Sequence, residues 1–243
     1  MSDSASLFAD EGQDPLLGKK IVEVSGKQQP TICYIGAAKG DNPDRISQFR
    51  RLAERIEAKA RILSLFDPPT GNADDFFDGV DIIYIDGGST RNLLALFREW
   101  GVVGALRMAY SNGVLLAGAS AGLNILYNWS ITDSIKSSLR PIEGLGILDG
   151  SVCVHHDAHP ERPKIFREFL RHNRYCSFPA FSLDDGVAAY FENEQIAKIF
   201  SLSENAHLYS LSKEGGQIIR HPCKRSILRP EKLPTQNPVP ARP

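Results

Sequence analysis

Four short apolar runs recur between residues 31 and 118 without polar alternation: Thr31 to Ile35, Ile62 to Phe66, Asp81 to Ile85 and Val114 to Ala117. A strand with apolar side chains at both parities has to be covered on both faces, and such strands belong to parallel sheets joined by helices. The segment between the first two runs fits this arrangement. Asp41-Asn42-Pro43 supplies a capping residue and a proline for the first helical position. Beyond it Ile46, Phe49, Leu52, Ala53 and Ile56 share one helical face, with Arg50, Arg51, Glu54 and Glu57 outward. The expected fold is therefore α/β with a mostly parallel central sheet.

After about residue 150 the pattern changes. Ser151 to His155 reads as a strand and Pro163 to His172 as a helix; Ala180 to Leu183, Val187 to Phe191, Ile196 to Phe200 and Ala206 to Leu211 then follow with only turns between them. These later strands are expected to pair largely antiparallel and to extend the sheet. The first residues lack periodicity, so 1–15 is expected to be a mobile segment. Six of the 15 prolines fall within 222–243, which predicts an extended tail and leaves 16–221 as the folded domain.

Composition narrows the function. Of 243 residues, 42% are hydrophobic and 23% charged, enough for a sizeable core, and the net charge of −1 lacks the basic footprint of nucleic-acid or anionic-membrane binding. No apolar run approaches a membrane span, and the polar, acidic N-terminus does not read as a signal peptide. A cytoplasmic protein with a small ligand is expected. Cys33, Cys153, Cys176 and Cys223 are far apart and read as free thiols.

Gly118-Ala119-Ser120-Ala121-Gly122 fits G-x-S-x-G, the strand-to-helix turn that exposes a serine hydroxyl, and it directly follows an apolar strand. Leu123 to Tyr127 then reads as the start of a buried helix. A second glycine turn, Asp86-Gly87-Gly88-Ser89-Thr90, leaves the preceding strand. In a parallel sheet both turns occupy the same carboxyl edge, where the amides of Gly88 and Ala121 could stabilise an oxyanion. The glycines could also cradle a phosphate, but the lysine of a P-loop and a full G-x-G-x-x-G are missing.

A serine nucleophile needs a base, and His155, His156 and His159 cluster 35 residues and more downstream. Adjacent strand residues face opposite ways, so only one of His155 and His156 can reach Ser120. Asp133 is a candidate to orient the imidazole, with Asp157, Asp184 and Asp185 as competitors whose alternative role is turn chemistry. His155, Asp157 and His159 alternate so that an extended segment would present them on one side as zinc ligands, but no recognised ligand motif is present.

Taken together, Gly87-Gly88-Ser89-Thr90-Arg91-Asn92-Leu93-Leu94, Gly118 to Gly122, and Cys153 to Asp157 with Glu161-Arg162 beyond resemble the peptidase E family of serine peptidases over about residues 31–211. These are cytoplasmic aspartyl dipeptidases related to cyanophycinases. The resemblance implies a three-layer α/β sandwich like that of class I glutamine amidotransferase domains, with flavodoxin-like topology, and no cofactor or metal. It assigns Ser120 as the nucleophile on a nucleophile elbow and His155 as the base, with His156 where the family has an aromatic residue. Asp133 falls near the family's acid. Arg162 matches the arginine for the substrate's aspartyl side chain, and Ser89 and Arg91 stand as further substrate contacts. Asp-Gly-Gly-Ser replaces the family's three glycines and asparagine.

The expected activity is hydrolysis of small peptides, above all dipeptides with N-terminal Asp, by Ser120, His155 and Asp133, with a homodimer as the candidate assembly. Alternatives are a cyanophycinase-like or other acyl hydrolase on the same fold and a non-catalytic binding module. An α/β-hydrolase esterase shares the elbow but normally interposes further βα units before its histidine.

Overall fold

In a computed structural model, which describes residues 1–9, 13–67, 71–135, 138–172 and 178–230, the alternation of apolar runs and amphipathic segments becomes a parallel sheet between two helical layers. A one-turn helix α1 (Ala5–Phe8) and α2 (Leu16–Ser25) precede β1 (Thr31–Ile35), α3 (Pro43–Arg55), β2 (Lys59–Ile62), β3 (Ile82–Ile85), α4 (Thr90–Glu99), α5 (Val102–Ser111) and β4 (Leu115–Gly118). The helix α6 (Ala121–Asn124) follows, then β5 (Tyr127–Ile135), β6 (Ser138–Glu143), β7 (Leu148–Cys153) and α7 (Glu161–His172). The chain continues with β8 (Ala180–Leu183), β9 (Val187–Glu192), β10 (Gln195–Ser201), β11 (Leu208–Glu214), β12 (Gln217–Pro222) and β13 (Ser226–Ile227).

The first sheet has the order β2-β1-β3-β4, with every pair parallel. Its two parities feed separate cores. Cys33, Ile35, Ile83 and Ile85 pack with Leu93, Phe97, Val102 and Leu106 from α4 and α5. Ile32, Tyr34, Ile82 and Tyr84 pack with Phe8, Leu17, Phe49 and Leu52 from α1, α2 and α3. Burial on both faces is what the unalternated strands require. The α3 start matches its sequence signals: the Asn42 side chain accepts the Arg45 N–H and Pro43 opens the first turn.

Four expectations are corrected. The second strand is the polar edge Lys59–Ile62 rather than Ile62 to Phe66, because Leu63 and Leu65 are buried in the loop that the Asp41 carboxylate ties down at Ser64 and Leu65. The helix after Ser120 lasts one turn, since the aromatic and β-branched residues from Tyr127 onward enter β5. The C-terminal strands form sheets of their own instead of extending the first. One has the order β12-β11-β8-β7-β5-β6, parallel only at β5-β7 and β7-β8, and the other has the order β13-β10-β9.

The fourth correction concerns the ends. Residues 1–4, 7 and 8 are buried, fixed by hydrogen bonds to loops, an order that leaves no sequence periodicity. Folded structure also continues past His221: Pro222 ends the edge strand β12, where a missing N–H costs no ladder bond, and β13 follows. The tail beyond Pro230 and Cys176 lie outside the described residues. Cys33 and Cys153 are free thiols that burial pushes up to about 12. Among the described residues no helix is long and apolar enough to cross a membrane.

Candidate active site

Because β3 and β4 are parallel neighbours, the turns leaving their carboxyl ends, at 86–90 and 118–122, lie side by side. Ser120 has φ 51° and ψ −113°, a strained conformation for any L-residue. Small neighbours make it attainable: a Cβ on Gly122 would lie 2.0 Å from the Ile85 carbonyl oxygen, and one on Gly118 would lie 2.5 Å from that of Gly122. The glycines thus let α6 press against β3 and lift Ser120 to the sheet edge.

The Ser120 hydroxyl lies 2.8 Å from His155 Nε2, and His155 Nδ1 lies 2.7 Å from Asp185 Oδ1. With the hydroxyl donating to Nε2 and the Nδ1–H donating to the carboxylate, the three side chains are linked in series. His155 follows β7 at φ 54°, a second strained non-glycine position. Burial pushes the Asp185 carboxyl upward, but the hydrogen bond and charge of His155, the Ser2 hydroxyl and the charge of Arg162 together hold it below the ordinary carboxylate range.

Asp133, expected to orient the imidazole, does not touch it. The strand β7 lies between β5 and β8, so Asp133 and Asp185 flank its end on opposite sides, and His155 turns toward β8. Asp133 Oδ2 instead accepts from Arg162 Nη2 at 3.1 Å, with the Asp133 side chain 65% exposed and that of Arg162 7% exposed. The other competitors serve as supports. Asp157 Oδ1 accepts the Asp185 N–H at 2.9 Å, and Asp184 Oδ2 accepts the His207 N–H at 2.9 Å.

A cavity of about 430 Å³ opens beside this series, lined by Ser120, His155, Asp185, Gly88, Arg162 and Asp133 and floored by Thr90, Asn124 and Thr132. Asn124 Nδ2 donates to Thr90 Oγ1 at 3.2 Å, while Asn124 Oδ1 is buried without a partner among the described residues. Lys39 adds a cation at the rim, and Asp3, Ser4 and Ala5 form one wall. Of the lining residues, Asp3, Ser4, Ala5, Lys39, Asn124 and Thr132 are not singled out by the sequence; Asn124, one turn past Ser120 in an apolar stretch, carries the clearest local signal.

Gly88 has φ 138°, and a Cβ there would lie 2.4 Å from the Ala38 carbonyl oxygen, so the turn admits only glycine. Neither the Gly88 nor the Ala121 amide meets an acceptor among the described residues. Ser89 and Arg91 are placed elsewhere. Ser89 caps α4 by accepting the Asn92 N–H, Arg91 is exposed, and neither lines the cavity. His156 is buried against Tyr209 and accepts from Arg220, and His159 is exposed. A larger apolar cleft of about 580 Å³, between α2, β4 and the β9-β10 hairpin, contains none of Ser120, His155 and Asp185.

Comparison with known proteins identifies the family of the chain. The sequence model of peptidase family S51 matches residues 3–199. The uncharacterized peptidase YgaJ of Bacillus subtilis (strain 168) is 34% identical over 215 residues, covering 88% of this chain and 92% of its own. A peptidase from an acI-B1 Actinobacterium superposes with a TM-score of 0.69 at 16% identity, over 93% of this chain and 92% of that one. A putative peptidase E protein from Listeria monocytogenes EGD-e gives 0.56 at 17% identity, over 85% and 93%. At these identities the two structures establish a shared fold. The chain belongs to peptidase family S51 and is a serine peptidase.

Proposed function

We propose that this peptidase hydrolyses small peptides with an acidic N-terminal residue, Asp-Xaa dipeptides foremost, through Ser120, His155 and Asp185. Ser120 Oγ attacks the peptide carbonyl carbon from its nucleophile elbow while His155 Nε2 takes the hydroxyl proton. The Gly88 and Ala121 amides receive the oxyanion, each donor contributing on the order of 10²–10³ in rate. His155 then protonates the leaving amine as the C–N bond breaks, leaving an ester on Ser120. A water molecule, deprotonated by His155, attacks that ester, and the proton returns to Ser120 Oγ as the acid leaves. Asp185 holds the imidazole by Nδ1–H and stabilises its cation.

Substrate selection falls to the cavity. Arg162, buried and already donating from Nη2 to a carboxylate, supplies charge-assisted hydrogen bonds to an acidic side chain, which displaces Asp133. The unpartnered Asn124 Oδ1 accepts a substrate N–H. With a net charge of −1 the selectivity has to be local. The observation that carries the reading is the uninterrupted pair of 2.8 and 2.7 Å hydrogen bonds from Ser120 through His155 to Asp185 at the edge of a cavity that contains a buried arginine. The same pair argues against a fold that kept its shape and lost its chemistry. The test is release of free amino acid from a panel of Asp-Xaa dipeptides by the wild type and by Ser120→Ala. Hydrolysis by the wild type alone is expected, and equal activity in both contradicts the mechanism.

A further inference from the structure

The N-terminal residues run across all four turns that carry the site. The Met1 carbonyl accepts the Ser120 N–H at 3.2 Å, and the Ser2 N–H donates to the Val187 carbonyl at 2.9 Å. Ser2 Oγ accepts the His155 N–H at 2.8 Å and lies 3.0 Å from Asp185 Oδ1 and 3.1 Å from the Leu183 carbonyl, the acceptors between which its single proton chooses. Asp3 Oδ2 accepts the Gly186 N–H at 2.7 Å, and Ser4 Oγ accepts the Gly87 N–H at 3.0 Å.

The arm is anchored independently of these contacts. Asp3 Oδ1 accepts the Ser6 N–H in the first turn of α1 at 2.7 Å, Leu7 and Phe8 are buried in the core under α3, and the Arg45 guanidinium lies 3.5 Å over the Phe8 ring. Within the arm Ser2 is distinct. Its side chain is fully buried, and among the described residues it is the side chain outside the series that hydrogen-bonds both His155 and Asp185. At His155 it holds the backbone of a residue at φ 54°, and at Asp185 it engages the same oxygen that receives the imidazole. A displacement of about 1 Å in such a group costs on the order of 10² in rate.

We infer that the N-terminal arm is a working part of the catalytic site, with Ser2 as a positioning residue that fixes His155 and Asp185 for proton transfer from Ser120. The inference rests on the assignment of Ser120, His155 and Asp185 above. Ser2 touches no substrate and transfers no proton; it acts through the geometry of the two residues it binds.

Fluorophosphonate labelling of Ser120 in the full chain reads nucleophile activation without a known substrate. Ser2→Ala should label about tenfold more slowly than wild type, the loss expected for one hydrogen bond to a charged group. Ser2→Thr should recover most of the rate. Ser6→Ala, which removes a hydrogen bond within the arm to Asp3 and none to the site, should stay within about twofold. Ser2→Cys, which keeps a polar group at the same position but weakens both bonds, is read in the same way if Ser2→Ala does not fold. A wild-type rate in Ser2→Ala, or in Ser2→Cys where that variant stands in for it, or an equal loss in Ser6→Ala, overturns the positioning role and leaves the assignment of Ser120 intact. A wild-type protein that takes no label at Ser120 overturns both.

Discussion

His155 Nδ1 and Asp185 Oδ1 meet at 2.7 Å across 30 residues of sequence, closing the turn after β7 onto the turn after β8. The two strands are parallel neighbours, in register at Ser151 with Ala180 and Cys153 with Ser182, so their carboxyl ends emerge together. That adjacency decides which carboxylate serves the histidine. Asp133 sits across β7 on the other neighbour, β5, and answers to Arg162 instead.

Arg162 is expected to set substrate preference. Arg162→Met should raise KM for Asp-Xaa dipeptides about 10- to 100-fold with little change in kcat, the loss of hydrogen bonds to a charged group. The preference for Asp-Xaa over Asn-Xaa should fall toward unity. Steady-state kinetics on matched dipeptides measures both, and an unchanged preference removes Arg162 from recognition.

The Asp86 carboxylate is buried beneath the glycine turn, receiving Arg45 Nε at 2.8 Å, Tyr34 Oη at 2.9 Å and Tyr84 Oη at 3.1 Å. Burial raises its pKa, but the hydrogen bond and charge of Arg45 outweigh this and leave it below the ordinary value. A carboxyl lowered in the folded state stabilises above its unfolded pKa near 4 and loses that contribution as pH falls. Arg45→Met leaves the buried charge unpaired and should cost about 3–5 kcal/mol in urea unfolding at neutral pH. The gap from wild type should narrow as pH falls, because Asp86 takes up its proton at higher pH in the variant than in wild type; a gap independent of pH contradicts this account.

His156 should make stability fall on the acid side. Burial first, and then the charges of Arg220 and Arg167, lower it from 6.5 to about 4. In that window the unfolded chain takes up a proton that the folded chain refuses, so stability declines as pH drops, by up to about 3 kcal/mol. His156→Gln keeps an acceptor for Arg220 and cannot titrate. Its unfolding free energy should decline less steeply than that of wild type between about pH 6.5 and 4; parallel declines would exclude His156 as the source.

What the sequence disclosed was whatever local pattern determines. Thr31–Ile35 and the start of α3 were legible because burial on both faces and an Asn-Pro cap leave local marks. Ser120 is marked in the sequence by the small residues that its strained turn demands, and His155 by the cluster of three histidines downstream of it. Asp185 carries no such mark: Asp184-Asp185-Gly186 reads as an ordinary turn, and only the order of strands β8, β7 and β5 selects it over Asp133. Lys59–Ile62 escaped notice because an edge strand is free to be polar and exposed. The order of the arm is not legible because Ser2 and Ser4 are held by hydrogen bonds to distant loops, which impose no period on neighbouring residues.

Most directly, the account is tested by kcat on one Asp-Xaa dipeptide for Asp185→Asn beside Asp133→Asn. Loss of the carboxylate that orients the imidazole should lower kcat by about 10³–10⁴ in Asp185→Asn, whereas Asp133→Asn should lose less than about tenfold. The reverse order, or full activity in Asp185→Asn, would contradict the assignment of Ser120, His155 and Asp185 as the catalytic series.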